Sequence, residues 1–63
     1  MKDNFEFDLE QNVCIVTSSE LGLIVGRAQY LHGENSYFLR YRAADGRAVE
    51  AWWPESALVD VQS

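Results

Sequence analysis

One stretch constrains this chain more than any other: Ser36 to Leu58, SYFLRYRAADGRAVEAWWPESAL. Tyr37, Leu39, Tyr41 and Ala43 alternate with Ser36, Phe38, Arg40 and Arg42. Val49, Ala51 and Trp53 alternate with Ala48, Glu50 and Trp52. A period of two rich in aromatic residues is a strand signal. The face carrying the arginines belongs to solvent, so the odd-numbered face belongs to the core.

Asp45-Gly46 joins the two strands, and the side chains decide how. A two-residue loop would set Arg42 opposite Val49 and Tyr41 opposite Glu50. Directly opposed residues share a face, and a one-residue slip flips every side chain. A three-residue loop, Ala44-Asp45-Gly46, restores agreement: a type I turn with Gly46 in the left-handed region as a G1 bulge. The expected inner pairs are then Tyr37–Trp53, Leu39–Ala51 and Tyr41–Val49. The outer pairs are Phe38–Trp52, Arg40–Glu50 and Arg42–Ala48.

The rest of the chain reads around this hairpin. Met1 to Gln11 is acidic, and is expected as an arm or edge strand packing Phe5 and Phe7. Asn12 to Thr17 is apolar on both faces and reads as a buried strand. Ser18 to Gly22 is a turn. Leu23 to Leu31 is a longer strand, with Ile24, Gly26, Ala28 and Tyr30 inward and Leu23, Val25 and Arg27 outward. Gly26 marks a bend or bulge within it. A four-residue loop, His32 to Asn35, would pair Tyr30 with Tyr37 and set Arg27 opposite Arg40. Pro54 ends the hairpin because it has no N–H for a ladder. Pro54 to Leu58 reads as one helical turn, and Val59 to Val61 as a last short strand.

Sixty-three residues bound the chain to one domain, residues 1–63, with a small core. The formal net charge of −5 disfavours non-specific binding to nucleic acid by the whole surface. Cys14 is the only cysteine, which excludes an intrachain disulfide and a multi-cysteine metal site. No basic leader with an apolar run opens the sequence, and no apolar run approaches the ~20 residues of a spanning helix. The expectation is a cytoplasmic protein with no membrane partner.

The element order, carried by Gly22-Leu23-Ile24-Val25-Gly26-Arg27, Tyr37-Phe38-Leu39-Arg40-Tyr41, Asp45-Gly46 and Trp53-Pro54-Glu55-Ser56-Ala57-Leu58-Val59, resembles the SH3-like barrel. Its Tudor-like and KOW-like small forms, common in bacterial and bacteriophage proteins, are the nearest. The resemblance covers about two-thirds of the chain and implies an all-β, five-stranded barrel with one short helical turn before the last strand. It also implies an adaptor role, and a phage or prophage setting. Ala57 stands where a polyproline-binding SH3 domain would carry its groove tyrosine, which argues against polyproline binding. A Tudor-like methyl cage would draw on Tyr30, Tyr37, Trp52 and Trp53, two of which the alternation assigns to the core.

No catalytic set emerges. Cys14 lies in an apolar strand, where a cysteine is a small hydrophobe. His32 is the only histidine and sits in a glycine-containing turn. The acids are scattered without the spacing of a glycosidase or two-metal site. The chain is expected to be no enzyme, with no cofactor, metal or small-molecule substrate.

The expected site is the outer hairpin face. Trp52, Phe38, Arg40, Arg42, Arg27 and Glu50 would bind a partner protein or a second copy, since Trp and Arg are enriched at binding hot spots. In the competing reading the acidic arm covers Trp52. The alternative function is nucleic-acid association through Arg27, Arg40, Arg42 and Arg47, with an aromatic stacked on a base.

Overall fold

A computed structural model of the chain describes residues 5–61. Five antiparallel strands form one sheet: β1 (Asn12–Ile15), β2 (Leu21–Ala28), β3 (Ser36–Arg42), β4 (Ala48–Pro54) and β5 (Leu58–Asp60). The order across the sheet is β4-β3-β2-β1-β5. The only helical element among the described residues is a 3₁₀ turn, Glu55–Ala57, between β4 and β5. The all-β class, the strand number and the turn before the last strand agree with the sequence. The sheet is not closed, because no ladder among the described residues joins β4 to β5.

It is nevertheless strongly curled. Four inter-strand spacings in a flat sheet would separate its edges by roughly 19 Å. The four residue steps from Pro54 to Leu58 reach at most about 14 Å, and less when wound into a 3₁₀ turn. The turn thus draws the two edges together at one end, and the Val16 N–H fastens it by donating to the Ala57 carbonyl at 2.9 Å.

The β3–β4 hairpin has the register that side-chain chemistry demanded: Tyr37 opposite Trp53, Phe38 opposite Trp52, Arg40 opposite Glu50 and Arg42 opposite Ala48. Gly46 has a φ of +90°, and its N–H donates to the Ala43 carbonyl at 2.9 Å. The Ala43 N–H donates to Arg47 at 2.8 Å, which closes the three-residue loop with its bulge.

The second strand departs from expectation. It begins at Leu21 and ends at Ala28, so Tyr30 and Leu31 lie in the loop that follows, Leu31 almost fully exposed at 94%. The pairing with β3 shifts between Ile24 and Gly26, leaving Val25 as the unpaired bulge residue. A bulge reverses the alternation beyond it. Ile24 is inward opposite Leu39, Gly26 is outward opposite Phe38, and Arg27 is opposite Tyr37 on the inner face. Arg27 therefore does not face Arg40, a juxtaposition of like charges that the longer strand would have forced. Gly26 suits its place: a Cβ there would come within 3.1 Å of the Phe38 Cβ.

The core is Phe7, Val13, Ile15, Ile24, Tyr37, Leu39 and Leu58, with Phe5, Tyr41 and Trp53 packed against it. β1 is buried on one face only, Val13 and Ile15 inward and Cys14 partly exposed. Trp53 sits at the rim of the core because β4 is an edge strand with a neighbour on one side.

Among the described residues the arm forms no strand. Glu10 donates its N–H to the Ile24 carbonyl at 2.7 Å, and Ile24 returns one to Gln11 at 3.0 Å, so the arm enters β1 alongside β2. Phe5 and Phe7 meet the Tyr37 ring edge-on, with centroids 5.9 and 5.3 Å away. Arg27 lies 4.4 Å from the Phe5 ring centroid, donates to the Phe7 carbonyl at 3.2 Å and stands 3.7 Å from Asp8. The described part of the arm, from Phe5 on, thus packs on the core side, not over Trp52.

Candidate functional site

Cross-strand rows on the outer face of the sheet build the site. In the first row, Gly26, Phe38 and Trp52 lie side by side on β2, β3 and β4. The Phe38 and Trp52 rings are 5.0 Å apart between centroids, and Trp52 is 53% exposed. The absence of a side chain at Gly26 gives Phe38 room to lie against the sheet, which leaves the indole as the projecting group.

In the next row Asn12, Leu23, Arg40 and Glu50 cross four strands. Arg40 donates from Nε and from a terminal nitrogen to the same Glu50 oxygen, both at 2.8 Å. The pair is exposed, so its value lies in orientation more than in stability. Below it Val59, Cys14 and Leu21 form a third row, with Leu21 62% exposed. A shallow groove of about 320 Å³ runs between the last two rows, lined by Leu21, Leu23, Arg40 and Arg42 among others.

Five of the expected site residues, Trp52, Phe38, Arg40, Arg42 and Glu50, come together on this face. Arg27 does not; it is held on the opposite face by the arm. Arg47 lies at the hairpin tip and pairs with Asp45 at 2.7 Å. Arg42 donates weakly to the Gly46 carbonyl at 3.5 Å. Sequence reasoning missed Leu21 as part of this surface. Its signal was present in the outward position of Leu23 and Val25, which leaves apolar side chains on a face that alternation would make polar.

A second cluster lies across the molecule. The Tyr37 hydroxyl donates a short hydrogen bond to Glu55, and accepts from the N–H groups of Glu6 at 3.0 Å and Phe7 at 3.3 Å. The same Glu55 oxygen accepts from the Glu6 N–H at 3.0 Å and from the Asn35 side chain at 3.4 Å. Burial, reinforced by the Glu55 carboxylate, pushes the Tyr37 phenol up to about 12. The phenol hydrogen bond holds the Glu55 carboxyl below its ordinary value. Glu34 adds a bidentate contact to the N–H and hydroxyl of Ser56, at 2.7 and 3.0 Å. These contacts join the arm, the β2–β3 loop and the 3₁₀ turn, and their chemistry is that of a clasp.

Among the described residues no group of three or more His, Cys, Asp or Glu is placed to hold a metal ion. No helix there is long and apolar enough to cross a membrane. Comparison with protein-family models, curated proteins and solved structures found no match.

Proposed function

We propose that this chain is a non-enzymatic interaction module on an SH3-like, Tudor-like scaffold, and that it binds a partner protein through the outer face of its hairpin. The observation that carries the reading is Trp52. It is a large indole, half exposed, seated on Phe38 and flanked by the Arg40–Glu50 pair. A monomer gains little by leaving such a side chain in water, whereas Trp and Arg anchor protein interfaces. Leu21 and Leu23 extend the apolar surface beside it.

The nucleic-acid alternative draws less support from the same residues. Arg40 and Arg47 are engaged by carboxylates, and Arg27 is on the other face. That leaves Arg42 as the chief cation offered to a phosphate, on a chain of net charge −5.

The test is affinity capture with the full chain as bait, at low and high salt, beside Trp52→Ala. A defined protein that survives high salt and is lost with Trp52→Ala supports the reading. Nucleic acid recovered only at low salt overturns it, because phosphate contacts weaken steeply with salt.

A further inference from the structure

The inference concerns the free edge of β4 and rests on the reading of the Trp52 face as an interface. The ladder fixes which backbone groups of β4 are spoken for. Ala43 and Arg47 form a hydrogen-bonded pair at the start of the hairpin. Hydrogen-bonded and non-bonded pairs alternate in an antiparallel ladder. Val49, Ala51 and Trp53 therefore bond to β3, and Ala48, Glu50, Trp52 and Pro54 turn their backbone groups away from it. Pro54, which has no N–H, falls on the outward side, where proline is tolerated. β4 ends the sheet, and among the described residues no strand or loop pairs with its outer edge. Ahead of Pro54, which blunts the end of the edge, six residues of regular strand with no bulge and no lysine form a template for another strand.

We propose that the occupant is a second copy of this chain, its β4 antiparallel to the first about a two-fold axis through Ala51. Side-chain chemistry favours this register over the one centred on Glu50. An axis through Glu50 would oppose two carboxylates directly, which is unfavourable. The axis through Ala51 sets Glu50 opposite the partner's Trp52, Val49 opposite the partner's Trp53, and small side chains at the centre. Continued one step beyond the strand, it brings Arg47, paired in its own chain with Asp45, to face the partner's Glu55, whose other oxygen Tyr37 holds, so that opposite charges stand near each other on both sides of the axis. The outward N–H and C=O groups of Glu50 and Trp52 then pair with those of the partner. The two Phe38–Trp52 pairs become diagonal neighbours on one continuous face. The inward side chains of Val49 and Trp53, only half-buried in one chain, are covered. An extended peptide from another protein would use the same edge and is the competing outcome.

The test has two arms, both in a Cys14→Ala background. Sedimentation equilibrium of the chain is expected to give the mass of two chains, and to hold or strengthen as salt screens the net charge. Ala51→Cys is expected to cross-link two copies under mild oxidation, because the Cα atoms of a non-bonded antiparallel pair lie about 4.5 Å apart, within disulfide reach. Ala48→Cys, exposed on the same strand, is expected not to cross-link, since its partner position is Pro54. A single-chain mass at all concentrations overturns the proposal, as does equal cross-linking from Ala48→Cys. Circular dichroism of each variant separates these results from misfolding. Where self-pairing fails but Trp52→Ala still loses a salt-resistant protein, the interaction-module reading stands alone.

Discussion

Adjacent tryptophans carry opposite duties. Trp53 packs against the core and Tyr41, with ring centroids 6.2 Å apart, whereas Trp52 projects outward. Replacing Trp53 with Ala removes a large aromatic from the core rim and is expected to cost on the order of 3 kcal/mol, the low end for a buried aromatic. Trp52→Ala is expected to leave the urea midpoint nearly unchanged. Equal losses in the two variants would mean that the outer face is a core. At Tyr37 one hydroxyl serves three partners. Tyr37→Phe leaves the Phe7 N–H short of an acceptor, while the Glu6 N–H keeps Glu55, at an expected cost of about 1–3 kcal/mol. The pH dependence has a definite sign. The Tyr37 pKa is raised on folding, so its contribution is complete below the unfolded value near 10 and is lost as pH rises through about 12. The Glu55 pKa is lowered, so its contribution is present above the ordinary carboxylate range and is lost as pH falls below it. Denaturation followed between pH 9 and 12 checks the first; Tyr37→Phe should remove that alkaline slope.

At the scale of elements, the hairpin and the second strand show what a sequence can convey. The β3–β4 register was legible because each wrong register placed an arginine or a glutamate on the apolar face. Gly46 made the loop length readable as well. Its φ of +90° costs a residue with Cβ roughly 1–2 kcal/mol, and nothing lies within 4 Å to add a clash. Gly46→Ala is therefore expected to lower stability by about that amount, read from the denaturation midpoint, without changing the site. The β2–β3 register was not legible. Gly26 announced an irregularity, but whether it bends the strand or inserts a residue depends on Phe38, which packs against it from the next strand. One unpaired residue at Val25 was enough to carry Arg27 to the inner face. The arm was legible only in part: Phe5 and Phe7 asked for burial, but their target, the Tyr37 ring, is set by the curl of the sheet. Asp8 stands beside Arg27, which the bulge carries to that face.

The whole molecule is a curled open sheet with two unlike sides. One end is fastened by the arm, the Tyr37–Glu55 clasp and the 3₁₀ turn. The outer face holds back its largest indole and its apolar leucines, and β4 holds back a row of backbone groups. The small core of the described residues has little stability to spare. Leaving that much apolar and backbone surface unused is costly for a chain working alone and reasonable for one that binds. Capture by wild-type bait and by Trp52→Ala bait, compared at high salt, tests this most directly. One defined protein is expected on the wild-type bait and its loss on the variant, with both baits equally folded. A partner retained undiminished by Trp52→Ala, or nucleic acid captured only at low salt, would contradict it.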